Sequence, residues 1–192
     1  MKNMVKLGLT LLIICVIASL ALGVTDKVTS PVIADRAVQA NNELRKTVLP
    51  SAKEFNEIDS SEYKGQGGGI IAEVYEGIDD AGNTVGYTVK ALPSGYGGAV
   101  EVMIGLSKEG KVTGISTGNM SETPGLGSKA AEPDFQEQFK GKETAKPLEV
   151  VKGSVSANNQ IQAISGATIT STAVTNGTNA AIEVYNSVLV NK

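Results

Sequence analysis

A short segment near the carboxyl end, "AISGATITSTAV" (163–174), concentrates hydroxyl side chains around one glycine. These hydroxyls belong to Ser165, Thr168, Thr170 and Ser171. A helix is expected to follow, and Ser165 or Thr168 could simply cap it, as hydroxyl side chains often do. A helix start also attracts phosphate through its free N–H groups and its dipole. Because Gly166-Ala167 would leave the Thr168 hydroxyl open to a modifying enzyme, the segment predicts either a plain cap or a site of phosphate chemistry.

Two glycine-rich loops are the other candidates for ligand binding. In "SGYGGA" (94–99), Tyr96 could stack on a planar ligand, and Gly97 would let the backbone approach it closely. In "SETPGLGSKA" (121–130), a turn at Thr123-Pro124-Gly125 precedes Gly127, which would allow a second unusual backbone angle. Each segment could instead be an ordinary surface loop with positive φ angles. Since the chain has few catalytic residue types, we expect the two loops to form the rim of one pocket.

The composition excludes several kinds of chemistry. The 192 residues include no histidine and a single cysteine, Cys15. Zinc sites, c-type haem, iron–sulfur clusters, Cys or His nucleophiles and a Ser-His-Asp triad all need residues that the part after residue 24 lacks. The net charge is −3, and the part after residue 24 carries 15 basic and 20 acidic side chains, which argues against nucleic acid as a partner.

The amino end is predicted to enter a membrane. Residues 7–24 carry no charge and no proline, and a helix of this length can just cross the hydrocarbon core. Lys2 and Lys6 precede the run, so the short amino end should stay in the cytoplasm and the rest should be exported. A cleaved signal peptide is the alternative. We assign residues 1–24 to the cytoplasmic end and transmembrane anchor.

The elements that must position the candidate residues indicate an α+β fold, with a mostly antiparallel sheet packed against a few helices. A helix at 35–50, ended by Pro50, is interpreted as part of a linker over 25–60, and 61–192 as the exported domain. The expected strands are 70–76, 85–91, 99–107, 112–117 and 148–153, and the later helices lie near 133–141 and 169–190. An Asp/Gly/Asn-rich turn, "GIDDAGN", joins the first two strands, and this explains Asp79 better than a calcium site does.

Three segments in a fixed order carry a family resemblance: "GYGGAVEVMIGL" (95–106), "ETPGLG" (122–127) and "SGATITS" (165–171). Together they resemble the FMN-binding domain of two respiratory proteins. These are the G subunit of the Rnf ferredoxin:NAD⁺ oxidoreductase complex and the C subunit of the sodium-pumping NADH:quinone oxidoreductase. The chain length and the short linker look more like the G subunit.

The resemblance implies that FMN is attached to Thr168 by a phosphoester bond, through a separate flavin transferase that acts outside the cytoplasm. Flavins bonded through a ring methyl usually use His or Cys, and the exported domain has neither. The chain would then be an electron carrier, with other membrane subunits of the complex as partners. One departure is Gln162, since the family often has an acidic residue at this position.

The implied FMN-binding residues lie in the same three segments. Ser165 or Gly166 would shape the turn, and Leu126 or Tyr96 would lie against the flavin ring. The full predicted set is Tyr96, Gly97, Glu122, Thr123, Gly125, Leu126, Gly127, Ser165, Gly166, Ala167 and Thr168. Three alternatives stay open: an exported ligand-binding module without covalent flavin, a structural subunit in which the hydroxyl cluster is only a cap, and a flavoprotein of another exported reductase pathway.

Overall fold

The computed structural model describes residues 2–191. The chain forms two compact units that meet in sequence between Asn42 and Glu43. The predicted α+β class, with a mostly antiparallel sheet, is confirmed.

One long helix, α1 (Lys2–Val48), forms the amino-terminal part of the chain. It is long and apolar enough to cross a membrane, and the side chains of its apolar run are exposed. Two separate stretches, at 7–24 and 35–50, were predicted, but the helix is continuous between them. Residues 25–34 contain no glycine, and Pro31 removes only one backbone donor from the helix.

The five-stranded sheet of the second unit has its strands in sequence order, and every neighbouring pair is antiparallel. The strands are β1 (Glu54–Glu57), β2 (Ile71–Ile78), β3 (Thr84–Ala91), β4 (Val102–Ser107) and β5 (Val112–Thr117). β1 was not predicted, because its four residues, "EFNE", carry a single apolar side chain and show little alternation.

The remaining α-helices and β-strands come after β5 in the chain. They are α2 (Pro133–Gln136), β6 (Glu149–Val151), β7 (Gln160–Gln162) and α3 (Thr168–Ser187). The helix predicted at 133–141 is shorter than expected and continues as a 3-10 turn over Glu137–Phe139. β7 was not predicted, and it pairs with β6 in parallel as a separate two-stranded sheet.

The core lies between α3 and one face of the five-stranded sheet. Val74, Val89, Ile104 and Ile115 are consecutive partners across β2 to β5, and all four side chains are buried. From α3, Val174, Ala181 and Val184 are fully buried in the same core. A fully buried valine typically contributes about 1.5–3 kcal/mol to stability, so this layer fixes α3 against the sheet.

The other face of the sheet, here called the outer face, carries glycines where the end of α1 lies against it. Gly77 pairs with Gly86, and Gly105 pairs with Gly114. A Cβ atom on Gly77 would lie 2.6 Å from Leu49 Cδ2, and one on Gly105 would overlap the Val48 carbonyl oxygen. The glycines therefore let the end of α1 lie directly on the sheet backbone.

The turn between β2 and β3 is held by Asp79. Its carboxylate accepts hydrogen bonds from the backbone N–H groups of Ala81 at 2.8 Å and of Asn83 at 2.9 Å. The N–H group of Asn83 is also the main cause that lowers the pKa of Asp79 below its usual value. The carboxylate is thus used to close the hairpin, as the turn composition predicts.

Thr88 of β3 provides a test of polar burial in the sheet. Its side chain is fully buried, and its hydroxyl has no hydrogen-bond partner among the residues that the structure describes. Thr88→Val keeps the shape and removes this desolvated group, so we expect the free energy of unfolding to rise by about 1 kcal/mol. The measurement is urea denaturation of the detergent-solubilised full chain.

The matched control is Thr178→Val. Thr178 is equally buried, but its hydroxyl donates to the Val174 carbonyl at 3.0 Å, so its loss should leave the stability unchanged or lower it by about 1 kcal/mol. A Thr88→Val protein less stable than the wild type would contradict the prediction.

Candidate functional site

A cleft of about 520 Å³ lies where the three predicted segments meet. It is bounded by the 94–99 loop, the 121–130 loop and the amino end of α3. Its lining residues are Tyr96, Glu122, Thr123, Leu126, Gly127, Gly166, Ala167, Thr168, Ile169 and Thr170. The fold thus brings together most of the residues predicted from sequence, and it adds Ile169 and Thr170.

Three predicted residues lie beside the cleft rather than in its lining. Gly97 donates its N–H to Glu122 Oε1 at 3.0 Å. Gly125 adopts a φ of 75° and donates its N–H to Ser128 Oγ at 2.8 Å, while the turn predicted at 123–125 is closed by the Leu126 N–H, which donates to the Thr123 carbonyl at 3.1 Å. Ser165 is exposed and directly precedes Gly166, whose φ is 77°. All three therefore shape the loops that border the cleft.

Glu122 connects the three segments at the base of the cleft. Its side chain is 8% exposed. One carboxylate oxygen accepts the Gly97 N–H, and the other accepts the Thr170 hydroxyl at 2.6 Å. A buried carboxyl group is costly unless its oxygens are hydrogen-bonded, so these two bonds fix the loops and the helix start in one arrangement.

Glycines surround Glu122 because there is no room for side chains. A Cβ atom on Gly127 would lie 2.5 Å from Glu122 Oε2 and 2.7 Å from Thr170 Oγ1. A Cβ on Gly97 would overlap the Ser121 carbonyl oxygen. Neither Gly97 nor Gly127 has a positive φ, so the expected unusual backbone angle at Gly127 is wrong. Close approach, rather than backbone angle, is the reason for these two glycines.

The start of α3 is not capped as expected. Its N-cap residue is Ala167, and no side chain supplies the cap hydrogen bond. The predicted caps are therefore wrong, because Ser165 lies two residues before the N-cap and Thr168 is already the first helical residue. Ser171, inside the helix, holds the turn instead: its hydroxyl accepts the Ile164 N–H and donates to the Ala167 carbonyl, both at 3.0 Å.

The missing cap leaves hydrogen-bonding groups open at the cleft. Within the described chain, the backbone N–H groups of Thr168, Ile169 and Thr170 make no hydrogen bond, and neither does the half-buried Thr168 hydroxyl. These donors lie at the positive end of the α3 dipole. No lysine or arginine lines the cleft within residues 2–191. An anion bound here would therefore be held by the helix start rather than by cationic side chains.

Three large exposed side chains, those of Tyr96, Leu126 and Ile169, give the cleft an apolar rim. A Cβ on Gly166 would lie 3.1 Å from Leu126 Cδ2, so the small residue lets Leu126 lie over the α3 turn. The arrangement combines an apolar, partly aromatic surface with a polar helix start. It suits a ligand that has a flat ring at one end and a phosphate at the other.

The hydrogen bond between Thr170 and Glu122 predicts how a substitution of Thr170 changes the stability of the protein. Thr170→Val keeps the side-chain shape but removes the hydrogen bond to a buried carboxyl group, so we expect a loss of about 2 kcal/mol in the free energy of unfolding. Urea denaturation of the full chain measures it, with Ser165→Ala, at an exposed position, as the control. A Thr170→Val variant as stable as the control would show that the bond does not hold the site together.

Comparison with known proteins identifies the family to which the chain belongs. Residues 95–183 match the model of the FMN-binding domain. The chain is 43% identical to the G subunit of the Na(+)-translocating ferredoxin:NAD(+) oxidoreductase complex of Acetobacterium woodii, over 97% of this chain and 93% of that protein. It is 37% identical to the G subunit of the proton-translocating ferredoxin:NAD(+) oxidoreductase complex of Clostridium ljungdahlii, over 90% of this chain and 86% of that protein.

A solved structure supports the fold. The crystal structure of the C subunit of the Na(+)-translocating NADH-quinone reductase from Parabacteroides distasonis aligns with a TM-score of 0.55 and 22% identity, and covers 79% of this chain and 97% of that one. By the identity and coverage of its relatives, the chain belongs to the family of G subunits of ion-translocating ferredoxin:NAD(+) oxidoreductase complexes, and it contains their FMN-binding domain.

Proposed function

We propose that this chain is the electron-carrying flavoprotein subunit of a membrane-bound, ion-translocating ferredoxin:NAD⁺ oxidoreductase, with FMN attached to Thr168 by a phosphoester. The observation that carries the proposal is the state of Thr168. Its hydroxyl lines the cleft, makes no hydrogen bond within the described chain, and lies at an uncapped helix start. The family membership supports FMN as the ligand.

The residues present fit FMN. The free N–H groups of Ile169 and Thr170 can donate to a phosphate joined to Thr168, and the α3 dipole favours its negative charge. Tyr96 and Leu126 supply apolar surface for the ring. Glu122 is engaged by Gly97 and Thr170, so its part is to hold the cleft rather than to donate a proton. The attached FMN would supply the redox chemistry, while the chain supplies its position.

Attachment requires one group transfer. With FAD as donor, the Thr168 oxygen would form a bond to the phosphorus on the flavin side of the pyrophosphate, the bond from that phosphorus to the bridging oxygen would break, AMP would leave and the hydroxyl proton would be released. The described chain offers no histidine or lysine in the cleft to remove this proton. A separate flavin transferase, working outside the cytoplasm, would provide that base and the metal that neutralises the pyrophosphate.

The partners and location follow from the same proposal. The apolar run at 7–24 holds the chain in the cell membrane as a single span, and Lys2 and Lys6 keep the amino end in the cytoplasm, so the FMN-binding domain faces the extracytoplasmic side. Other membrane subunits of the complex would donate and accept its electrons. The relatives support this assignment, since they are named as parts of such complexes.

The test is co-production of the chain with a flavin transferase, followed by denaturation and intact-mass measurement. We expect a flavin-sized mass increase and a fluorescent band for the wild type and for Ser165→Ala. Thr168→Ala should lose both completely, because it lacks the attacking oxygen. Thr168→Ser should keep them, because it retains that oxygen.

Three results would change the assignment. Flavin retained covalently by Thr168→Ala would move the attachment to another residue. Wild-type protein that binds FMN only while folded would favour an exported, membrane-anchored ligand-binding protein. Wild-type protein without any flavin would favour a structural role in the complex.

A further inference from the structure

Charged side chains of alternating sign cross the outer face of the sheet, opposite α3. We call Arg45, Glu73, Lys90 and Glu101 the charge network. Arg45, in the last turn of α1, forms an ion pair with Glu73 of β2. Lys90 of β3 places its Nζ 3.7 Å from Glu73 Oε1 and 3.0 Å from Glu101 Oε1. Glu73 and Lys90 are direct partners across β2 and β3, so the sheet itself sets their spacing.

Three members of the network are well shielded from water, and the fourth, Glu73, has a side chain that is 30% exposed. Arg45 is 3% exposed, and its guanidinium also stacks over the ring of Tyr75, 3.7 Å from its centroid. The Lys90 and Glu101 side chains are 13% and 11% exposed. Removing one member of a buried ion pair leaves an uncompensated charge in a poorly hydrated place, which is strongly destabilising locally. The four side chains should therefore move together rather than separately.

At one end, the network holds the beginning of the segment 118–127, here called the site segment. Glu101 Oε2 lies 3.4 Å from both the backbone and the side-chain nitrogen of Asn119. The main chain adds two bonds, from the Glu101 N–H to the Asn119 carbonyl at 3.0 Å and from the Gly118 N–H to the Glu101 carbonyl at 2.9 Å. The site segment continues directly to Glu122, which joins the three parts of the cleft.

At the other end, the network holds the last turn of α1. The Leu49 N–H donates to the Arg45 carbonyl at 2.9 Å, and the Thr113 hydroxyl donates to the Val48 carbonyl. Leu49 itself lies against Gly77 and Gly86 of the outer face. This turn is thus attached to the sheet by packing, by hydrogen bonds and by the Arg45 ion pair.

We infer that Arg45, Glu73, Lys90 and Glu101 are positioning residues that couple the last turn of α1 to the site segment. A change at Arg45 then alters the contacts of Asn119. Through the site segment, it also alters the Glu122 contacts that fix the arrangement of the cleft. The inference rests on the proposed function only in taking this cleft as the FMN site. It assigns a role to the outer face that the flavin attachment by itself does not need.

The test is amide hydrogen exchange in the full chain, solubilised in detergent and produced without a flavin transferase. Arg45→Met removes the charge at the α1 end of the network. We expect exchange of the site segment, relative to the core strands β3 and β4, to become at least about fivefold faster, which is the lower end of typical coupling between sites. Lys64→Met, at an exposed position outside the network, should leave this ratio unchanged.

Rescue separates coupling from simple loss of packing. Arg45→Lys retains a cation towards Glu73 but loses much of the planar stacking on Tyr75. In this variant, the exchange rate of the site segment relative to β3 and β4 should return to within about twofold of the wild-type value. Glu73→Gln is the second disrupting variant, since its half-exposed side chain makes global unfolding less of a risk. Glu73→Gln should accelerate amide exchange in the site segment as Arg45→Met does.

The exchange rate of the site segment relative to that of β3 and β4 decides the inference in every case. If Arg45→Met and Glu73→Gln accelerate amide exchange equally in β3, β4 and the site segment, the variants only lower global stability and the inferred coupling is wrong. If exchange changes near α1 but not in 118–127, the coupling is also wrong. Because the protein carries no flavin in this experiment, a failed attachment at Thr168 would leave the result intact, and a failed coupling would leave the attachment proposal intact.

Discussion

The carboxyl group of Glu122 is the interaction on which the candidate site depends. It joins the Gly97 loop, 25 residues before it, to Thr170, 48 residues after it, through two hydrogen bonds made by one buried side chain. The glycines around it follow from this contact, because a methyl group at residue 127 would meet both Glu122 and Thr170. The open start of α3 has a different cause: the helix begins at Thr168, so Ala167, which has no hydroxyl, occupies the N-cap position.

The four hydroxyls of "AISGATITSTAV" therefore have different environments. Thr170 serves the tertiary contact to Glu122, and Ser171 fastens the turn before the helix. Ser165 is exposed on the approach to that turn. Thr168 alone combines a place in the cleft with a hydroxyl that has no partner in the described chain. This division explains why a segment that needs one cap contains four hydroxyl residues.

The features that could be predicted from the sequence are those set by local residue patterns and by the order of the motifs. The local pattern located β5 within its observed bounds, and the three motifs identified Tyr96, Leu126 and Thr168, which the fold places in one cleft. The absence of a cap could not be predicted, because it depends on the helix starting at Thr168, which puts Ala167 rather than a hydroxyl residue at the N-cap position. The reason for Gly127 was also hidden, since close approach to Glu122 depends on packing, whereas an unusual φ is a local property. The core face of the sheet could be predicted, because its valines follow a local sequence pattern. The roles of the glycines and charges on the outer face could not, because they depend on the tertiary contact with the end of α1.

We propose that the flavin phosphate occupies the uncapped start of α3. The experiment to make first is residue-resolved hydrogen exchange of the backbone amides of Thr168, Ile169 and Thr170, compared between flavinylated and unmodified protein. These amides have no hydrogen-bond partner within the described chain, so we expect fast exchange in the unmodified protein and strong protection in the flavinylated one. Equal exchange in the two forms, with flavin covalently present, would contradict it, because the phosphate would then lie elsewhere.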